Sequence, residues 1–174
     1  MLILVTGGSS SGKSEFAESL IVNGGSQKRF YIATMEPYDE ESRRRVQKHR
    51  QARADKKFVT IECPRALLDV KIPENAAALL ECMSNLVANE CFGGEGFEGA
   101  VERILAGVDK LLIGCPLVVI VSNELFSDGS AYDEDDTREY MQKMAQVNRA
   151  LGARADKVFE LVCNIPLQWK GNVL

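Results

Sequence analysis

Apolar and polar positions along the chain fall into two alternating patterns. Short aliphatic and β-branched runs at Leu2–Thr6, Arg29–Thr34, Phe58–Cys63, Ala76–Cys82, Pro116–Glu124 and Asp156–Cys163 predict strands. "PLVVIVSNE" is the clearest buried one. Between them lie stretches with helical spacing. "SEFAESLIVN" sets Phe16, Leu20 and Asn23 on one stripe, with Ala17 and Ile21 beside it. "DEESRRRVQKHRQAR" (39–53) predicts a polar helix, with Asp39 as N-cap and acids in the first turn. "MSNLVANECF" predicts another helix, which "GGEGFEG" (93–99) breaks. "FEGAVERILAGVDKLLIG" resumes helical spacing, and "DDTREYMQKMAQVNRALGARA" is a long amphipathic helix. Strands that alternate with helices predict an α/β fold, a mostly parallel sheet with helices on both faces. No repeat, low-complexity segment or linker divides the chain, so residues 1–174 read as one domain.

Composition narrows the function classes. The formal net charge is −4, which argues against a nucleic-acid binder working through bulk charge. The basic cluster "RRRVQKHRQAR" is therefore local, and it suits a small anionic ligand better than a long polyanion. The five cysteines stand singly, without a C-x-x-C, which speaks against a disulfide framework and a zinc site and for thiols in a reducing compartment. "MLILVTGG" has no basic start and too short an apolar run for a signal peptide. No stretch has membrane-spanning length, so the expectation is a soluble, cytoplasmic protein with no membrane partner.

"GGSSSGKS", Gly7, Gly8, Ser9, Ser10, Ser11, Gly12, Lys13 and Ser14, matches G-x-x-x-x-G-K-[ST] between a predicted strand and a predicted helix, the context a phosphate loop requires. Its glycines let backbone N–H groups curl around a phosphate chain, and the helix N-terminus adds its dipole. Lys13 offers a point charge to the β- and γ-phosphates, and Ser14 a hydroxyl ligand for Mg²⁺. The fold expectation becomes a P-loop NTPase-type (RecA-like) domain. N-K-x-D and D-x-x-G are both absent, which argues against a switch GTPase.

Ligands in such sheets bind beyond the carboxyl ends of the strands, where Glu62, Glu81 and Glu124 are predicted to lie. Acids there either meet water or support a metal or base position. Glu81, after "AAALL", is best placed to support Mg²⁺, and Asn123–Glu124 to contact a substrate. His49 is the one histidine of the chain. On a continuous helix Arg45 and Arg53 share its face. Like charges would keep the imidazole neutral, and the arginines would orient a triphosphate. Two readings stay open from this segment: a histidine on a solvated basic face, or a nucleophile at phosphorus.

Several segments together resemble one family, the bifunctional adenosylcobinamide kinase / adenosylcobinamide-phosphate guanylyltransferases. These are "ILVTGGSSSGKSEFAE", "YIATMEPYDEESRRRVQKHRQAR", "TIECP", "LLECMSNLVAN", "VSNE" and "VNRALGARADKVFELV", in the family's order over nearly the whole chain. The resemblance implies phosphorylation of the aminopropanol hydroxyl of adenosylcobinamide by a nucleoside triphosphate such as ATP. A histidine then attacks the α-phosphorus of GTP, and GMP passes to adenosylcobinamide phosphate. By this resemblance His49 is the guanylylated residue. GTP contacts are implied at Gly7–Ser14, at Ile32, Ala33 and Thr34, at His49, Arg50, Gln51 and Ala52, and at Glu62 and Glu81. A corrinoid partner and a homotrimer are implied as well. The chain departs from the family pattern in "LFSDGSAYDEDD" (125–136), where a glycine-rich run with Val-Pro is usual. That stretch lacks the EF-hand spacing of a calcium loop. "NIPLQWKGNVL" also lacks a glycine usual at that place. Other readings are a guanylyltransferase without the kinase step, a P-loop kinase for another small alcohol, and a nucleotide-sensing regulator without turnover.

Overall fold

The computed structural model describes residues 1–37, 40, 43–44, 46–47, 51, 53–93, 95–124 and 135–172. Its strands are β1 (Leu2–Gly7), β2 (Arg29–Ala33), β3 (Phe58–Glu62), β4 (Ala77–Glu81), β5 (Leu117–Val121), β6 (Lys157–Val162) and β7 (Ile165–Lys170). All belong to one sheet, in the order β3-β2-β4-β5-β1-β6-β7. Every neighbouring pair is parallel except β6 and β7. The central strands are buried on both faces, as β5 shows with all five residues inside.

The longer helices are α1 (Lys13–Asn23), α2 (Met83–Gly93), α3 (Ala100–Gly114) and α4 (Asp135–Arg154). Two hydrophobic clusters sit on opposite faces of the sheet. Ala17 and Ile21 of α1 pack with Ile3, Val5, Leu79 and Val119 on one face. Residues of α2, α3 and α4, among them Leu86, Ile104 and Val147, pack with Leu4, Leu80 and Ile120 on the other. Alternate residues of one strand thus serve opposite cores.

Each predicted strand and the helices outside 39–53 occur where the patterning puts them. β5 ends at Val121, short of Glu124, and its continuation still bonds to the end of β1: Ser122 N–H donates to Val5 O at 2.9 Å and Glu124 N–H to Gly7 O at 3.1 Å. Between β2 and β3, Glu40, Arg43, Arg44, Val46, Gln47 and Gln51 are helical. A 3-10 turn follows at Ala54–Lys56. The patterning misses β7, an antiparallel edge strand. It joins β6 through a two-residue turn, since Val162 pairs with Ile165. Cys163 and Asn164 both have positive φ, 49° and 67°, as such a hairpin requires.

Candidate active site

The phosphate loop leaves the end of β1 in the middle of the sheet. Gly7 has φ 142°, and a side chain there would run into Leu161 O. Gly12 caps α1 with φ 93° and faces Asn164, whose side chain lies where a Cβ would go. The loop is tied from outside as well. Asn164 N–H donates to Ser11 O at 3.0 Å, and Glu124 N–H holds Gly7 O. The β6–β7 turn is thus a brace for the loop. Asparagine suits this turn, because it tolerates the left-handed region better than other side chains.

Lys13 turns back into the loop, and its Nζ donates to Gly8 O at 2.5 Å. Burial lowers its pKa, and the charges of Cys82 and Glu81 oppose that shift. Ser11 Oγ is buried in the loop without a hydrogen-bond partner. Amides, a lysine and a helix N-terminus meet at one point, which is the chemistry of a polyphosphate cradle.

Ser14, in the first turn of α1, reaches across to the end of β4. Its hydroxyl donates to Glu81 Oε1. The other carboxylate oxygen, Oε2, accepts from Tyr31 OH at 3.1 Å. Glu81 is therefore brought to the loop, as the strand-end reading expects. Ser14 and Glu81 offer two hard oxygen ligands next to a phosphate site. That suits Mg²⁺, which takes one or two protein oxygens plus phosphates and water. Among the described residues there is no group of three or more acidic, thiol or imidazole side chains that could hold a metal ion.

Asn123 is engaged beside this pair, its Nδ2 donating to Ser84 Oγ at 2.6 Å. Ala33 and Glu81 are register partners across β2 and β4, and Ala33 and Glu62 across β2 and β3. The three line one small recess together with Tyr31, Arg53 and Thr60. Ile32 points into the opposite core and is fully buried. Thr34 is also buried, its hydroxyl donating to Cys82 O at 2.7 Å. Of the Ile32–Thr34 stretch only Ala33 fronts the recess. A wider cavity of ≈ 590 Å³ opens next to it, between Met35–Pro37, the helical residues Val46 and Gln47, and Glu62 and Pro64.

His49, Arg50, Ala52, Arg45 and Asp39 lie outside the described residues, as does the acidic stretch 125–134. Gln51 is described, helical and exposed. Arg53 corrects the sequence reading. It does not continue a helix: it precedes the 3-10 turn with φ −98° and ψ −5°, and it lines the recess beside Glu62 and Glu81. Its side chain is 5% exposed. The guanidinium lies 3.5 Å over the Tyr31 ring, with Nη1 3.9 Å from Glu18 Oε1. A planar, weakly hydrated cation favours such stacking over a solvated position. Helical spacing alone does not register the turn that Arg53 begins. Sequence reasoning also passes over Tyr31 and Asn164 as site residues; they are legible there only as parts of a strand and a tail.

The family model described as cobinamide kinase / cobinamide phosphate guanyltransferase matches residues 3–169 of the chain. The chain is 36% identical to the bifunctional adenosylcobalamin biosynthesis protein CobU of Salmonella typhimurium, over 98% of this chain and 100% of that protein. It is 30% identical to the bifunctional protein CobP of Pseudomonas aeruginosa, over 98% of each. Among solved structures, a prototypical ATPase from the type III secretion system of pathogenic bacteria matches with a TM-score of 0.50 at 10% identity, over 91% of this chain and 50% of that one. A Pyrococcus horikoshii protein, PH0250, matches with a TM-score of 0.53 at 7% identity, over 99% and 87%. These two likenesses concern the fold alone, a P-loop NTPase-type sheet flanked by helices. The match along 3–169, with a phosphate loop tied to a strand-end glutamate, makes the chain a member of the cobinamide kinase / cobinamide phosphate guanyltransferase family.

Proposed function

We propose that this chain carries out both reactions of its family. It phosphorylates the aminopropanol hydroxyl of adenosylcobinamide with a nucleoside triphosphate, ATP or GTP. It then moves GMP from GTP to adenosylcobinamide phosphate, giving adenosylcobinamide-GDP. The observation that carries this reading is the Ser14–Glu81 contact, which joins phosphate loop and strand end into one site within a family-wide match.

In the kinase step the substrate hydroxyl oxygen attacks the γ-phosphorus, its proton leaves to solvent or base, and the nucleoside diphosphate departs. Loop amides from Gly7 to Ser14 hold the phosphates, and Lys13 leaves Gly8 O to meet their charge. Ser14 and Glu81 would hold Mg²⁺, which supplies charge neutralisation on the phosphates when bound. In the transfer step a neutral imidazole nitrogen of His49 attacks the α-phosphorus of GTP and pyrophosphate leaves. A phosphate oxygen of adenosylcobinamide phosphate then attacks the same phosphorus, and the histidine N–P bond breaks. Arg50, Gln51 and Ala52 would follow the nucleotide with the histidine, and Glu62 and Ala33 would line its recess.

Residues 1–174 work as one domain in this reading. A homotrimer follows from the family resemblance, and an apolar strip on β7, where Ile165, Leu167 and Trp169 are all exposed, supports a contact between copies. A cytoplasmic setting is supported by five free cysteines. No helix among the described residues is long and apolar enough to cross a membrane.

The test is incubation with α-labelled GTP and Mg²⁺, followed by a quench. An acid-labile, alkali-stable protein-bound GMP is expected, and it disappears in His49→Ala. Confirmed GTP binding without any adduct on the wild type would overturn the histidine mechanism. Product analysis with adenosylcobinamide separates the two-step enzyme from a transferase without the kinase step.

A further inference from the structure

We propose that Tyr31 is a positioning residue for Glu81: its buried phenol fixes one carboxylate oxygen so that the other stays aimed at Ser14 and the metal side of the site. This rests on the reading of Ser14 and Glu81 given above.

Tyr31 lies in β2 beside Leu79 of β4, two residues below the level of Glu81. Its side chain is 5% exposed and belongs to the core on the α1 face. Two contacts hold the ring: Phe58 meets it edge-on at 6.3 Å between centroids, and the Arg53 guanidinium covers it at 3.5 Å. Ala77 and Leu79 belong to the same core cluster. Arg53 is itself fixed near Glu18, which also takes Lys56. The phenol has little freedom, and its OH meets Glu81 Oε2 at 3.1 Å. The phenol O–H is a hydrogen-bond donor, and the carboxylate oxygen it meets can only accept.

A glutamate at a strand end has several free torsions. Ordering them at the moment of metal binding would cost side-chain entropy. Tyr31 meets that requirement in the fold. With Oε2 occupied by the phenol, Oε1 faces Ser14, the hydroxyl proposed as the metal's other protein ligand. Tyr31 does not touch the reacting atoms in this scheme. It acts through Glu81, as outer partners of metal ligands do.

The test measures equilibrium binding of GTP in EDTA and in a Mg²⁺ titration, on wild type and Tyr31→Phe. The phenylalanine keeps the ring and removes only the hydroxyl. The affinity in EDTA is expected to stay within about twofold, while the Mg²⁺ concentration for half-maximal tightening rises about tenfold. Glu81→Gln should raise it too, and Tyr31→Phe on top of Glu81→Gln should add nothing. If Tyr31→Phe does not fold, Arg53→Lys, which loosens the cover on the ring, should give a smaller shift in the same direction. An unchanged Mg²⁺ requirement in a folded variant would overturn the proposal. So would an equal loss with and without Mg²⁺, which marks a merely structural role, and so would wild-type binding indifferent to Mg²⁺. This readout needs no histidine adduct and no corrinoid. A wild type that binds Mg²⁺–GTP but forms no adduct would overturn the guanylyl-transfer reading alone.

Discussion

The nucleotide-facing edge of the sheet has two halves that are built differently. The phosphate loop is held on every side: by β1 below it, by the β6–β7 turn through Asn164, by Glu124 N–H, and by Glu81 through Ser14. The stretch from 38 to 53 is polar, and its described helical residues are largely exposed. At its far end it is tied down by Arg53, which is buried against Tyr31 and Glu18. One half is a rigid receptor made by the fold. The other holds, by sequence, the histidine proposed for the transfer step. Binding and covalent transfer should therefore separate when each half is altered.

The largest effect is expected from His49→Ala. Protein-bound GMP should fall to background in the labelled-GTP assay, while equilibrium GTP binding stays within a few-fold of wild type. A parallel loss of binding would mean that the two halves are not separable in this way.

Next is Lys13→Met. A charged hydrogen bond to phosphate is worth about 1.5–3 kcal/mol, so GTP affinity should drop roughly 10- to 100-fold. The folded chain without nucleotide should not lose stability. Lys13 has a lowered pKa because its ammonium is desolvated, and an apolar replacement removes that cost. The sign follows from linkage. A depressed lysine pKa means that the unfolded chain binds the proton more tightly. Wild type should therefore gain stability relative to Lys13→Met as pH rises toward about 10, the ordinary lysine range. Paired denaturation curves at neutral pH and just below that range would show it.

Arg53→Met separates the two accounts of this arginine. As an anchor, its loss leaves Glu18 with Lys56 and strips the cover from Tyr31, at about 2 kcal/mol of stability. Thermal melting should register this with only a modest change in GTP affinity. A large affinity loss at unchanged melting temperature would restore the phosphate grip that helical spacing suggests.

The same contrast governs what the sequence can tell. β1, β5 and the phosphate loop are legible because burial on both faces leaves an unbroken aliphatic run, and the loop's geometry demands its glycines. Glu81 is legible as a strand-end acid. Its phenol partner is not, because Tyr31 reads as any β-forming residue and its pairing comes from β2 lying beside β4, distant in the chain. Periodicity misplaces Arg53 because it continues through a helix end that only the backbone at Arg53 and the turn at Ala54–Lys56 reveal. β7 escapes notice because its apolar residues, Ile165, Leu167 and Trp169, face outward and carry no sign of a core. Its one local signal is the Cys163–Asn164 turn.

That turn gives the smallest and most local test. Asn164 sits at φ 67°, where a glycine is free and an ordinary side chain is strained. Asn164→Gly should leave the melting temperature nearly unchanged, because the backbone bond from Asn164 N–H to Ser11 O survives. Asn164→Ala should cost about 1 kcal/mol, the penalty of a Cβ in the left-handed region. If the brace matters to the loop, the alanine variant should also weaken GTP binding by a small factor while the glycine variant does not. If the two variants bind alike, the loop holds its shape without help from the hairpin. The rigidity of that half would then come from β1, Glu124 and the Ser14–Glu81 pair.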